Sequence, residues 1–323
     1  MDHLKIVVSF DLENKYLKKI KTKFSEVEIK QSSKEKQICD YINKAEILFG
    51  GMFSPKIFKA GSDLRWIQTV GTGVDQFLIP EVINSKVIIT NTGDIFSSTI
   101  SEHTFAMMLS LTRKMRFFSR NQDRKEWNSH GAYLGQGLDE LNNKTMGIIG
   151  LGTIGQKVAE KAKAFGMKVI ATKREALTQK PNHVDKLIKR ENLTELLAES
   201  DFVVLTLPLT TETEGLIGES QLKGMKKTGY LLNVSRGKIV QEKMLVKALE
   251  KGWIEGAGLD VFMEEPLPAQ SKLWRMDNVV ITPHVAWMSR HFNYNVTDIF
   301  CENLKHYLNN EPLNYTIDKK RGY

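Results

Sequence analysis

Residues 144–155, KTMGIIGLGTIG, decide how the rest of the chain is read. Met146, Ile148, Ile149 and Leu151 interleave with Gly147, Gly150, Gly152 and Gly155. The apolar run before Gly150 predicts a strand buried on both faces, as in a parallel sheet covered by helices. QKVAEKAKAFG then has helical spacing and stops at Gly166. Between strand and helix lies G-x-G-x-x-G, a dinucleotide-binding signature when it occurs in that setting. The first glycine permits a tight turn, the second lets a pyrophosphate approach the backbone, and the third lets the helix pack on the strand. The helix N-terminus adds free N–H groups and positive potential. A glycine-rich turn with no ligand is the plainer alternative, and the flanking elements argue against it.

Downstream, KVIATKR (168–174), DFVVLTLP (201–208), GYLLNVSRG (229–237), IEGAGLDVF (254–262) and NVVITPH (278–284) extend the opening strand to a six-strand unit. Upstream, LKIVVSF (4–10), VEIK (27–30), AEILFGG (45–51), RWIQTVG (65–71) and VIITN (87–91) alternate with helical segments as a five-strand set. Ser54-Pro55 opens one of those helices and Gly61 closes it. The expected class is α/β, with two doubly wound parallel-sheet domains. SSTISEHTFAMMLSLTRKMRFFSRN (97–121) predicts one long helix between them, capped by Ser98 or Thr99, with Glu102 in its first turn. Its nearly continuous apolar side calls for burial between domains or against another subunit. His103 on that helix reads as a residue beside the core rather than a ligand or base. Residues 121–143 read as linker. The helical pattern over 286–310 returns to the first domain, so that domain is discontinuous: 1–100 plus 287–323, around a cofactor domain at 101–286. The loop GTGVD (71–75) follows the fourth strand, where backbone N–H groups form either an anion cradle or a plain turn.

A chain of 323 residues is long enough for two cores. The net charge of +8 comes from 46 Lys and Arg against 38 Asp and Glu. The densest basic cluster, LENKYLKKIKTKF, carries Leu12, Tyr16, Leu17 and Ile20 at helical spacing, so it reads as a solvated helix face rather than a nucleic-acid surface. Cys39 and Cys301 have no paired spacing, and neither a disulfide framework nor a metal site is expected. With no leader pattern and no run near the ~18 apolar residues of a membrane span, a cytoplasmic protein is expected.

Three ionisable residues follow the last strands: Arg236, Glu265 and His284. Reducing a ketoacid requires a cation for its carboxylate and carbonyl, a proton donor and a hydride source. A guanidinium forks onto two oxygens, which suits Arg236. Imidazole titrates near neutral pH, which suits His284, and Glu265 would hold the ring and keep it protonated. Singly each reads as a structural residue; together at strand ends they read as a site.

These motifs resemble the D-isomer-specific 2-hydroxyacid dehydrogenases, among them the glyoxylate/hydroxypyruvate reductases, over nearly the whole chain. VGTGVD (70–75) resembles the family's substrate-carboxylate loop, ITNTGDIFSSTISEH (89–103) the entry to its dimer-forming helix, and LPLTTET (207–213) the loop beside its cofactor. NVSRG, GLDVFMEEP and ITPH supply the family's Arg, Glu and His at Arg236, Glu265 and His284. The resemblance implies a Rossmann domain inserted into a flavodoxin-like substrate domain, and a homodimer. It implies cofactor contacts at Gly150, Gly152, Thr153, Ile154, Gly155, Lys173, Arg174, Leu207, Pro208, Thr213, Val234, Ser235, Asp260, His284 and Ala286, with Asp260 on the nicotinamide carboxamide. It implies substrate contacts at Gly71, Thr72, Gly73, Arg236 and Trp287.

One departure bears on the cofactor. Family members that bind NAD usually end the second cofactor strand with an acidic residue, where this sequence has Lys173 and then Arg174. Cations there suit a 2′-phosphate, so NADP is preferred and NAD is possible, with Glu175 on the ribose as the alternative. The implied activity is reduction of a small 2-ketoacid to the D-2-hydroxyacid. An NAD(H)-sensing corepressor and a phosphoglycerate dehydrogenase are the alternatives.

Overall fold

The computed structural model describes residues 4–128, 137–173 and 181–323. The chain divides into two compact units: Met1–Phe96 with Met288–Tyr323, and Ser97–Trp287.

The first unit alternates β1 (Leu4–Val8), α1 (Asn14–Lys23), β2 (Val27–Gln31), α2 (Glu35–Ile42), β3 (Ile47–Gly50), α3 (Pro55–Ala60), β4 (Trp66–Thr69), α4 (Pro80–Ile83) and β5 (Ile88–Thr90). The strands pair in parallel in the order β2-β1-β3-β4-β5, the flavodoxin-like doubly wound order. β3 and β4 lie inside the sheet and every residue of both is buried, which is why their sequences do not alternate. Leu48 and Ile67 share one core cluster with Ile38, Ile42 and Ile57 of the covering helices. Ser54 caps α3 by accepting the Ile57 N–H at 3.3 Å, and Pro55 takes the first turn, where its missing N–H costs nothing. The C-terminal helix, Phe292–Leu308, belongs to this unit, and Phe300 stacks on Phe49 with ring centres 4.1 Å apart.

The second unit contains α5 (Ser97–Thr112), α6 (Met115–Asp123), β6 (Thr145–Ile149), α7 (Thr153–Ala164), β7 (Lys168–Thr172), β8 (Lys186–Ile188), α8 (Leu193–Glu199), β9 (Phe202–Leu205), α9 (Glu219–Gly224), β10 (Tyr230–Asn233), α10 (Glu242–Glu250), β11 (Gly256–Leu259) and β12 (Val279–Ile281). Seven parallel strands run β12-β11-β10-β9-β6-β7-β8. This is the Rossmann order, and it reverses between β6 and β9, where such sheets open a crevice beyond their carboxyl ends.

Several sequence expectations change here. The sheet has a seventh strand, β8, a three-residue edge strand with only Ile188 buried. The helix expected over 97–121 is two helices, broken where Lys114 takes a left-handed φ of 52°. Arg116 holds the new direction, its guanidinium donating to the carbonyls of Trp274, Met276 and Val279. Ser98 and Thr99 lie inside α5 rather than capping it, and α6 carries helix to Asp123, into the expected linker. The apolar side of α5 packs within its own unit, on α7, β10, β11 and β12. Gly258 permits that approach, since a Cβ there would stand 3.1 Å from Met107 Cβ. Among the described residues no helix is long and apolar enough to cross a membrane.

Candidate active site

The glycine loop after β6 can be taken residue by residue. Gly150 has φ 105°, and a Cβ on it would lie 2.7 Å from the Thr206 carbonyl oxygen. At Gly155 a Cβ would lie 2.3 Å from the Gly150 oxygen, so this glycine lets α7 close onto the strand. Gly152 differs. Its φ is −89°, open to any residue, and a Cβ there would meet nothing within 4 Å. Neither backbone strain nor protein packing requires a glycine at that position, whereas a group approaching from outside would. Thr153 and Ile154 open the 12-residue α7, whose first turn has no side-chain cap. Open space over Gly152 beside uncapped N–H groups fits a dinucleotide pyrophosphate.

Lys173 follows β7 directly and is partly exposed. Arg174 and Glu175 lie outside the described residues. The loop beyond β9 is folded on Thr213, whose hydroxyl donates to the Pro208 carbonyl at 2.7 Å and accepts the Thr210 N–H at 2.8 Å. Leu207 is partly buried against the core.

The last residue of β10, the buried Asn233, arranges the next group. Asn233 donates to the Arg236 carbonyl at 2.9 Å and accepts from both the N–H and the hydroxyl of Ser235, at 3.1 and 2.9 Å. Val234 is buried, and Arg236 Nη1 donates to the Ser235 carbonyl at 2.8 Å. Gly237 brings this turn against the segment after β11: a Cβ there would fall 1.9 Å from the Phe262 carbonyl carbon. That segment carries Glu265, whose Oε1 accepts the Phe262 N–H at 2.9 Å.

His284 lies three residues beyond β12, with φ 55°. Its Nδ1 is 2.7 Å from Glu265 Oε2. Burial opposes charge on Glu265, but the hydrogen bonds from His284 and the Phe262 N–H outweigh it. With the charges of His284 and Arg236 they hold the carboxyl below its ordinary range. The Trp287 indole donates to the His284 carbonyl at 2.9 Å. Asp260, after β11, is fully buried and accepts from Thr282 Oγ1 at 2.6 Å and from the N–H groups of Val285 and Ala286 at 2.9 and 3.0 Å. Arg236, Asp260, Glu265 and His284 thus follow three adjacent strands, β10, β11 and β12, at the carboxyl end of one sheet. Sequence reading missed Asn233 and Thr282; the signal was a polar residue ending or following an otherwise apolar strand. Among the described residues no group of three His, Cys, Asp or Glu could hold a metal.

In the first unit, Thr69 donates to the Gly71 carbonyl at 2.7 Å, and Asn91 Nδ2 donates to the Thr72 carbonyl at 2.9 Å. Side chains thus take the carbonyls of Gly71 and Thr72. Among the described residues no backbone carbonyl accepts from the N–H of Gly71, Thr72 or Gly73.

Residues 105–286 match the family described as D-isomer specific 2-hydroxyacid dehydrogenase, NAD binding domain. A glyoxylate reductase of Pyrococcus horikoshii is 38% identical over 258 residues, covering 77% of this chain and 75% of that protein. The structure of a D-isomer specific 2-hydroxyacid dehydrogenase family protein from Aeromonas salmonicida superposes with TM-score 0.87 at 30% identity, covering 99% of this chain and 100% of the other. An NADPH-dependent glyoxylate/hydroxypyruvate reductase from Sinorhizobium meliloti, solved with NADP and sulfate, superposes with TM-score 0.84 at 25% identity, covering 99% of each chain. The chain belongs to the D-isomer-specific 2-hydroxyacid dehydrogenase family. It is an NAD(P)-dependent oxidoreductase acting on CH–OH groups.

Proposed function

We propose that this protein reduces a small 2-ketoacid, of the glyoxylate or hydroxypyruvate kind, to the D-2-hydroxyacid, with His284 as proton donor. The observation that carries the assignment of roles is the His284–Glu265 pair, 2.7 Å apart at the carboxyl end of the sheet, where Arg236 also follows its strand. When bound, the reduced nicotinamide supplies the hydride for the new C–H bond. The protein's part is charge and protons. Arg236 binds the carboxylate and carbonyl oxygens and draws electron density from the carbonyl carbon. His284 has Nδ1 engaged by Glu265, so Nε2 is the nitrogen that gives the proton to the forming alkoxide. The N–H groups of Gly71, Thr72 and Gly73, which no backbone carbonyl engages among the described residues, support the reading of their loop as a carboxylate cradle. Asp260 orders the turn bearing His284, and its place on the carboxamide follows from the family resemblance.

Within the NAD(P) class we infer a preference for NADP(H), supported by Lys173 at the end of β7 and by the reductase solved with NADP. A homodimer in the cytoplasm belongs to the same reading. Sedimentation of the purified protein tests the dimer and cell fractionation the location.

The test of function is turnover of glyoxylate, hydroxypyruvate, pyruvate and phosphohydroxypyruvate with NADPH and with NADH, by the wild type and by His284→Ala. Turnover of the first two should fall by about 10²–10⁴-fold in the variant, while the cofactor still binds. An unchanged rate in the variant removes His284 from the mechanism, and cofactor binding without turnover of any ketoacid removes the reductase.

A further inference from the structure

His103 stands on α5, outside the triad, yet its ring reaches the turn that carries His284. Its Nε2 lies 2.8 Å from Thr282 Oγ1. The Thr282 hydroxyl has a single proton and donates it to Asp260 Oδ1 at 2.6 Å. Thr282 can therefore only accept from His103, which places a proton on His103 Nε2. Asp260, its side chain 2% exposed, also receives the Val285 and Ala286 N–H groups, and its own carbonyl accepts the His284 N–H at 2.8 Å. Both ends of Asp260 thus grip the backbone at and just after His284. That grip matters because His284 holds a left-handed φ of 55°, which a non-glycine residue keeps only where its surroundings impose it.

We propose that His103 is a positioning residue for the proton donor. Its N–H orients the Thr282 hydroxyl, Thr282 orients the Asp260 carboxylate, and Asp260 holds the strained turn so that the His284 imidazole meets Glu265. The chain of contacts joins α5 to the far end of β12 through three side chains, the first two 179 residues apart. The inference rests on the reading of His284 as proton donor.

The test uses His103→Leu, which removes the donor, His103→Gln, which keeps an N–H donor, Thr282→Val, which removes the relay, and the double variant His103→Leu/Thr282→Val. Loss of one buried hydrogen bond that sets catalytic geometry should lower kcat about tenfold in His103→Leu and in Thr282→Val. KM for the ketoacid should stay within about twofold, and the double variant should be no slower than Thr282→Val alone. His103→Gln should recover most of the rate. A kcat for His103→Leu within about twofold of wild type, losses that multiply in the double variant, or a Gln variant as slow as the Leu variant each overturn the proposal. If His103→Leu does not fold, a wild-type kcat in Thr282→Val overturns it equally. His284→Ala, assayed alongside, separates the two readings. A collapse there with no effect at His103 defeats this inference alone, whereas wild-type rates in His284→Ala defeat the proton-donor reading itself.

Discussion

Nδ1 of His284 stands 2.7 Å from Oε2 of Glu265, while the other oxygen of the same carboxylate accepts the Phe262 N–H at 2.9 Å. One carboxylate therefore anchors the His284 ring and the backbone segment that carries Glu265 itself. Both side chains are more than a third exposed, so solvent screens the pair and its share of stability is modest.

The direction of its pH dependence still follows. The Glu265 carboxyl is held below its ordinary value of 4.5 in the folded protein. A depressed carboxyl contributes stability that is fully present above the unfolded value and is lost as pH falls through the folded one. The wild type should therefore have a higher Tm than Glu265→Gln at neutral pH, with the gap closing as pH drops below 4.5. Paired melting curves across that window check the sign. A gap that widens in acid would contradict the pairing.

Arg236→Lys should be a poor enzyme although it keeps the charge. An ammonium has no planar fork, so one of two hydrogen bonds to the substrate oxygens is lost. A charge-assisted bond of roughly 1.5–3 kcal/mol corresponds to a fall in kcat/KM of about 10- to 100-fold. Steady-state kinetics with the preferred ketoacid decide the matter, and near-normal efficiency would remove the two-oxygen role.

Gly237→Ala tests the contact between the Arg236 turn and the Glu265 segment. The added methyl would fall 1.9 Å from both the carbon and the oxygen of the Phe262 carbonyl, and backbone cannot rotate aside as a side chain does. The segment must shift or the unit must loosen, at about 3 kcal/mol or more. Urea unfolding reads the loss directly. A variant as stable as the wild type would mean that the two turns are not packed in this way.

Much of this was legible because the local code was strong. Met146, Ile148 and Ile149 before Gly150 marked a buried strand, and Gly166 marked a helix stop that the structure realises at φ 71°. β8 was not legible: three residues with one buried side chain leave no period to detect. Nor was the break at Lys114, since Arg113 and Lys114 are ordinary helix formers and the turn is held by Arg116 bonding to carbonyls about 160 positions away. Arg236, Glu265 and His284 could be picked out singly at strand ends. The contact of His103 with Thr282 could not, because it depends on how α5 lies across the sheet.

Cofactor choice turns on Lys173, which follows β7, and on Arg174, which lies outside the described residues. Two cations on a 2′-phosphate would each add a charge-assisted hydrogen bond worth roughly 1.5–3 kcal/mol in a protected site. Lys173 is partly exposed, and screened pairs are often worth under about 1 kcal/mol. A net preference near ~1.4 kcal/mol, about tenfold for NADPH over NADH, is the expected size. Replacing Lys173 by Asp and Arg174 by Ala removes the phosphate contacts and adds an acceptor for the ribose hydroxyl, so the ratio of catalytic efficiencies should swing toward NADH. The ratio is measured in wild type and double variant with the same ketoacid. A wild type that already prefers NADH, and a double variant that leaves the ratio unmoved, would make both residues solvated surface charges and end the NADP assignment.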